Sequence, residues 1–351
     1  MPLVAAAVAA VGFNTRPAAA DPALRVSGPF VHDNLAVYFL HGASAGGAIP
    51  LTLQEALAKG SVQVTETGRV NELEIENRGG EEVFIQAGDI VKGGKQDRVL
   101  TVSFVLPPRS GRVPIASFCV EQGRWAARGR EDVSKFASAQ EAMPSRSGLL
   151  ALMLADPPRP DLPWGAARES ALLGSGNDVA ARQRKVWDSV AETQSKLAGG
   201  LKASPLAPES RNSLQLTLEH GKLKEARAAY IKNLQAAGLK EGDVIGYVVA
   251  INGKMSSANL YPSNGLFRKM WAKQLAASAT EAIGEKRDGA IGEAPKPAAV
   301  KAFLAEAENG RRHERAAAAG TRVETRDADK ALYNEARSAD GKWLHRNYLA
   351  K

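Results

Sequence analysis

The sequence predicts an α+β fold with a sheet-rich core, helices mainly in the second half and a C-terminal β-hairpin. Short runs of β-branched and aromatic residues, separated by turn residues, dominate the first 120 positions. Apolar residues recur at helical spacing in the second half, and an Asp340-Gly341 turn separates two strand-like runs near the end. With 44% apolar and 24% charged residues among 351, a wholly disordered, a collagen-like and a multi-span membrane protein are excluded.

The first half is predicted to contain short strands and one short helix. An Asp33-Asn34 turn precedes a dense β-type run at residues 35–40. Thr52 and Glu55 have the spacing of a capping box, so a helix is expected over residues 53–59, and Gly60 ends it. Further strands are predicted at residues 62–67, 73–77, 83–87, 98–106 and 113–120.

Helical periodicity distinguishes the second half. It predicts helices at residues 147–154, 179–197, 214–236 and 267–283. Between the last two, an apolar run at residues 243–251 ends in Asn252-Gly253, the strongest short-range hairpin signal. Residues 254–260 are therefore expected to form the partner strand of that run.

The chain is expected to consist of one main α+β domain at residues 21–284, followed by two smaller segments. Residues 285–320 are rich in Ala, Lys and Glu and are predicted to form a linker with one exposed helix over residues 298–307. Residues 321–351 are predicted to contain a strand at 321–326 and a hairpin with strands at 331–337 and 342–349. We expect this hairpin to pack back on the main domain.

Residues 1–20 have the pattern of a secretory signal peptide. Residues 1–11 are almost entirely apolar, and the small residues Ala18-Ala19-Ala20 follow, although a positively charged beginning is missing. This pattern favours an exported, periplasmic or secreted protein without a membrane span in its mature form. If the segment is instead a disordered extension, the expected location is the cytoplasm.

Charge and composition restrict the expected partners. The net charge is +8, and residues 92–130 contain eight basic and two acidic residues, which suits a small anionic ligand such as a phosphate. A solvated basic face is the alternative. Specific nucleic-acid binding is not expected, because aromatic residues make up 6% and no binding motif is present. One cysteine and scattered histidines predict neither a disulfide nor a metal or other cofactor, and the oligomeric state stays open.

Two glycines between basic residues make residues 92–98 the most informative part of the sequence. Glycines allow backbone amides to converge, and flanking Lys and Arg add donors, so the segment is suited to hold an oxyanion. A β-turn rich in surface charge is the alternative. The predicted ligand-binding residues are Lys92, Gly93, Gly94, Lys95, Gln96, Arg98, Arg124 and Trp125.

The candidate catalytic residues are Cys119, Glu121 and Asp97. A cysteine near Arg124 can have a lowered pKa and act as a nucleophile, whereas a small buried side chain at a strand end is the alternative. Glu121 and Asp97 could perform acid–base chemistry, or they could form salt bridges with Arg98 and Arg124. Antiparallel pairing of residues 98–106 with 113–120 would bring all these side chains together.

The segments Gly93-Gly-Lys-Gln-Asp-Arg98 and Cys119-Val-Glu-Gln-Gly-Arg-Trp125 resemble a known family. It is the domain family associated with ADP-ribosylglycohydrolases and rhodanese-phosphatases, whose function is unproven. Weaker similarities lie at Gln183 and Trp187, at residues 246–253, and at residues 267–271. The resemblance covers most of residues 23–283 and extends to the final hairpin. The family's name implies a genomic association with ADP-ribose or phosphate metabolism, and such an association does not specify a mechanism.

The sequence is compatible with three functions. The leading hypothesis is the binding, with or without processing, of a phosphate- or ribose-containing small molecule at residues 92–98 and 119–125. The second is a structural or protein-interaction domain in which the charged motifs form an ion-pair network. The third is a hydrolase with Cys119 as its nucleophile.

Overall fold

The computed structural model of the chain describes residues 24–124, 132, 135–153, 176–287, 289 and 291–351. Within these residues, 17 strands form three sheets, and seven helices lie mostly in the second half. The predicted α+β class and the C-terminal hairpin are confirmed. The predicted signal segment and Trp125 lie outside the described residues.

The largest sheet has eight strands, and every neighbouring pair in it is antiparallel. In order across the sheet they are β1 (Arg25–His32), β2 (Leu35–His41), β12 (Val244–Ile251), β13 (Lys254–Leu260), β17 (Trp343–Ala350), β16 (Ala331–Arg337), β15 (Arg322–Asp327) and β14 (Arg311–Ala316). Asn252 and Gly253 have φ angles of 51° and 76°, as a tight hairpin turn of this hand requires. The predicted hairpin around this turn is confirmed.

The C-terminal hairpin of β16 and β17 belongs to this sheet. Strand β17 pairs with β13, where Ala258 lies opposite Tyr348. The end of the chain therefore supplies two interior strands, and β15 and β14 extend the sheet beyond β16 to its edge. Strand β14 was not expected, because the segment before residue 320 reads as a linker from composition alone.

The remaining strands form a six-stranded and a three-stranded sheet. The six, in order, are β11 (Phe136–Ala142), β7 (Asp89–Gly93), β8 (Arg98–Leu100), β10 (Gly111–Cys119), β5 (Glu72–Asn77) and β4 (Val62–Glu66); the three are β3 (Leu51–Thr52), β6 (Val83–Ile85) and β9 (Phe104–Leu106). The prediction of one strand over residues 98–106 is wrong, because β8 and β9 belong to different sheets. An apolar run does not specify which sheet it joins.

The described residues also form seven α-helices and one short 3₁₀ helix (Ala318–Gly320). The α-helices are α1 (Leu53–Ala58), α2 (Arg146–Met153), α3 (Gly176–Leu201), α4 (Leu214–Leu218), α5 (Gly221–Gly238), α6 (Asn264–Gly284) and α7 (Pro297–Glu308). The capping box at α1 is confirmed, since the Glu55 amide donates to Thr52 Oγ1 and the Thr52 amide donates to the Glu55 carboxylate. The helix expected over residues 214–236 is two helices, with His220 as the N-cap of the second. Among the described residues, no helix combines the length and apolarity needed to cross a membrane.

The eight-stranded sheet is covered on both faces. On one face, Phe39 and Tyr247 pack against Trp271 of α6, with ring centroids 5.3 and 5.2 Å from the indole. On the other face, Tyr38 and Tyr348 belong to the core that α7 covers. A third apolar core lies within the two smaller sheets. These faces explain why β2 and β12 are buried along their whole length.

Helix α7 corrects the expectation of an exposed helix over residues 298–307. Val300, Phe303, Leu304 and Ala307 are buried, at the i, i+3, i+4, i+7 spacing of one helix face. The remaining face, with its Lys and Glu side chains, is exposed. Composition suggested a solvated helix because alanine and charge dominate, but four apolar positions suffice for docking.

Replacing Phe303 with Ala tests whether α7 belongs to the core. Because the ring is 8% exposed, its removal is expected to lower the free energy of unfolding by about 3–5 kcal/mol. Lys301→Ala, on the exposed face of the same helix, should change it by less than about 0.5 kcal/mol. Urea denaturation of both variants measures this, and equal small effects would contradict the docking.

Candidate functional site

The two charged motifs meet where β8 and β10 pair. Cys119 lies opposite Arg98 in the antiparallel register. The Val120 amide donates to the Asp97 carbonyl at 3.2 Å, and the Gln96 side-chain amide donates to the Glu121 carbonyl at 2.9 Å. The expected convergence of residues 92–98 with residues 119–125 is confirmed as far as Arg124, since Trp125 lies outside the described residues, and it follows from a local strand pair.

The glycine pair allows the neighbouring strand β11 to approach closely. Gly93 and Gly94 have φ angles of 125° and 58°, which side chains other than glycine rarely adopt. A Cβ on Gly93 would lie 2.4 Å from the Lys135 carbonyl oxygen, and one on Gly94 would lie 2.2 Å from the Phe136 ring. The glycines are therefore required both by the turn and by the packing around it.

The amides of this turn have acceptors within the chain. Gly93 donates to Asp97 Oδ1 at 2.9 Å, Gly94 to the Lys135 carbonyl at 3.2 Å, and Lys95 to Glu66 Oε1 at 3.1 Å. The converging donors expected from the sequence are present, and two of the three hold carboxylates. The anions at this turn are thus the protein's own side chains.

The charged cluster comprises Glu66, Asp97, Arg98, Glu121 and Arg124. Arg98 is fully buried and lies 3.6 Å from Glu66, and it donates to the Gln96 carbonyl at 3.1 Å. Arg124 donates to Glu121 at 2.6 Å and lies 3.6 Å from Asp97. Asp97 and Glu121 are also fully buried. Two guanidinium groups thus face three carboxylates in an environment with little water.

Two polar side chains from the second half of the chain form hydrogen bonds with the segment that begins at Cys119. Gln183 of α3 accepts from the Cys119 amide and donates to the Cys119 carbonyl, both at 2.9 Å. Ser210 donates to Glu121 Oε1 at 2.5 Å. Sequence reasoning did not assign roles to Glu66, Gln183 and Ser210. Gln183 was visible as a weak family similarity, whereas Glu66 and Ser210 carry no sequence signal.

Cys119 lies inside the core and not in a reactive environment. Its residue surface is fully buried, and burial raises the pKa of the thiol to about 11 although Arg98 opposes this shift. At neutral pH the sulfur is therefore a protonated thiol. This favours the buried alternative over the nucleophile.

The basic residues at the rim are also engaged. Lys92 lies 2.8 Å from Glu219, and about a third of each side chain is exposed. Partial burial raises the pKa of Glu219, but hydrogen bonds from Lys92 and Gln215 outweigh this and lower it overall. Lys95 is half-buried beside Glu66. Trp125, the remaining candidate, lies outside the described residues.

The comparisons agree with the motifs. The model of the ARG and Rhodanese-Phosphatase-superfamily-associated Protein domain (ARPP-1) matches residues 23–349. The chain therefore belongs to this family. No curated protein and no solved structure matches it.

Alkylation of Cys119 tests its burial. Native protein at pH 7 is expected to react slowly with iodoacetamide, because both burial and the raised pKa disfavour the thiolate, and to react fully once unfolded. Since an unfolded thiol loses its proton near pH 8.5 and the folded one near pH 11, stability should fall as pH rises between these values. Cys119→Ala should remove that part of the pH dependence.

Intact-mass spectrometry after timed labelling measures the reaction, and denaturant curves at pH 8 and 10 measure the stability. The chain has one cysteine, so every added mass reports on this site. Rapid alkylation of the native protein at pH 7 would contradict the buried thiol.

Proposed function

We propose that the two charged motifs form a structural ion-pair network and that the chain is a structural or protein-interaction domain. The observation that carries this proposal is the pairing of the Gly93 and Lys95 amides with the carboxylates of Asp97 and Glu66. A site built to bind an external anion would need such donors for its ligand. Here they serve to hold the carboxylates that face Arg98 and Arg124.

The network joins elements that are far apart in sequence. Glu66 ends β4, Arg98 begins β8, Glu121 follows β10, and Ser210 precedes α4. Removing one member of a buried ion pair leaves an uncompensated charge, which typically costs about 3–5 kcal/mol. The pairs therefore act as a constraint on how the six-stranded sheet meets the helices, whatever their net contribution to stability.

Binding of a phosphate- or ribose-containing small molecule is the second candidate. The partly exposed Lys92 at the rim, beside the basic excess of residues 92–130, favours it. An anion near Arg98 or Arg124 would face three carboxylates, however, and like charges at such distances repel strongly when buried. This candidate requires Glu66 or Glu121 to move away when the ligand binds.

Arg98→Ala distinguishes the two candidates. In the structural network it is expected to lower the free energy of unfolding by about 3–5 kcal/mol, because the Glu66 carboxylate, whose side chain is 14% exposed, loses its guanidinium partner. Removing both charges, with Arg98→Met and Glu66→Gln together, should restore part of that loss. Arg112→Ala is the control, since this arginine lies on β10, the strand that pairs with β8, and its side chain is 70% exposed.

Thermal melts with and without millimolar phosphate or ADP-ribose complete the comparison. The network predicts no ligand-dependent rise in Tm for the natural protein. A rise that disappears in Arg98→Ala, with little change in the Tm of the unliganded variant, would overturn the structural proposal and establish the ligand.

A further inference from the structure

Three side chains at one end of the eight-stranded sheet have the arrangement of a nucleophile, a base and a carboxylate. Ser27 of β1 has its Oγ 2.7 Å from His41 Nε2, and Asp243 Oδ1 lies 2.8 Å from His41 Nδ1. The two ring nitrogens of one histidine thus contact a hydroxyl on one side and a carboxylate on the other. We propose that Ser27, His41 and Asp243 form a nucleophilic site that hydrolyses carboxylic esters with small apolar acyl groups.

The fold holds this arrangement rigidly. Arg25 lies opposite His41 in the register of β1 and β2, so Ser27, two residues further, is the diagonal neighbour of His41 on the same face. Asp243 precedes β12, and its carbonyl accepts from the Gly42 amide at 3.0 Å. His41 is 3% exposed, whereas Ser27 is only half-buried. The base is therefore fixed and the hydroxyl lies near solvent.

Arg25 and Asp243 both contact His41 Nδ1, and Asp243 determines the tautomer of the ring. Arg25 Nη2 lies 2.7 Å from His41 Nδ1, but also 2.9 Å from Glu241 and 3.0 Å from Asp243. A guanidinium only donates, and carboxylates are its stronger acceptors, so we assign the Nδ1 proton to a hydrogen bond with Asp243. That hydrogen bond, with those from Arg25, holds the pKa of Asp243 below its usual range. Nε2 is then the acceptor for the Ser27 hydroxyl.

The same guanidinium distinguishes this site from a metal centre. His41, Glu241 and Asp243 offer ligand atoms within 4.8 Å of one another. Arg25 contacts all three, and a divalent cation placed among them would be repelled by its charge. The carboxylates are therefore better explained as supports for histidine and arginine.

The surroundings of Ser27 indicate the acyl group. Phe30, on the same edge strand, is 37% exposed and lies opposite Val37, on the sheet face to which Ser27 and His41 belong. The Phe30 ring lies 3.3 Å from the position of a Cβ on Gly28, the residue directly after Ser27. Small apolar acyl groups could contact this surface while the ester carbonyl lies at the hydroxyl. The backbone amide after a nucleophilic serine is the usual oxyanion donor, and here it belongs to Gly28.

The reaction proceeds in two balanced halves. Ser27 Oγ attacks the ester carbonyl carbon while His41 Nε2 takes the hydroxyl proton. The bond to the leaving alcohol breaks, and that alcohol receives the proton from His41, which leaves an acyl group on Ser27. Solvent water then attacks the acyl carbon, gives one proton to His41, and releases the carboxylic acid as Ser27 Oγ regains that proton.

The test uses the full chain with p-nitrophenyl butyrate and, separately, a fluorophosphonate that labels activated serines. We expect hydrolysis above the buffer rate and a single adduct on the peptide that contains Ser27. Ser27→Ala and His41→Gln should each lower the hydrolysis rate at least about 100-fold, and Asp243→Asn about tenfold, because this carboxylate is half-exposed.

Ser204→Ala is the matched control, since this exposed serine accepts a hydrogen bond from the Leu206 amide at 3.4 Å and lies outside the Ser27 site, so its loss should leave hydrolysis unchanged. Ser27→Ala removes one oxygen from an edge strand, so an unchanged Tm will show that lost activity is not lost folding. Equal hydrolysis by the natural protein and Ser27→Ala, or adducts on other serines, would overturn the proposal. Neither result bears on the Arg98 network, whose residues and readout are separate.

Discussion

Charges buried away from water need partners, and this constraint determines how the six-stranded sheet is joined to the rest of the molecule. Two further buried ion pairs, outside the charged cluster, satisfy the same constraint. Asp89 of β7 lies 2.6 Å from Lys273 of α6, and Glu141 of β11 lies 2.9 Å from Arg227 of α5. All four side chains are almost completely buried. Each carboxylate therefore specifies which helix residue must lie against its strand.

The turn at Gly93 and Gly94 has features that an anion-binding site and a structural ion-pair cluster have in common. Both need converging amides, guanidinium groups and a backbone with positive φ. What differs is the source of the anion, and here Glu66 arrives from β4, which is about thirty residues earlier. The donors can be recognised in one short segment, whereas the acceptor belongs to another strand. The composition of the motif is therefore compatible with both functions.

The charged cluster and the Ser27 site differ in their access to water. Arg98 and Cys119 are fully buried, and burial raises the pKa of the thiol. Ser27 lies on an edge strand, and the side chain of Asp243 is half-exposed. Chemistry on an external substrate requires such access, whereas stabilising pairs benefit from its absence. The segments with the most specific sequence pattern are thus not the segments best placed to meet a substrate.

The sequence by itself determined the features that depend on interactions between residues close together in the chain. The capping box at Thr52, the Asn252-Gly253 hairpin and the pairing of residues near Arg98 with those near Cys119 each depend on a few neighbouring residues. It also identified the donors of the charged cluster. Only the tertiary structure decided that β8 and β9 join different sheets, that α7 is docked, and that Glu66 and Ser210 complete the cluster. These outcomes depend on contacts between residues far apart in the chain, where burial and charge compensation outweigh local preference.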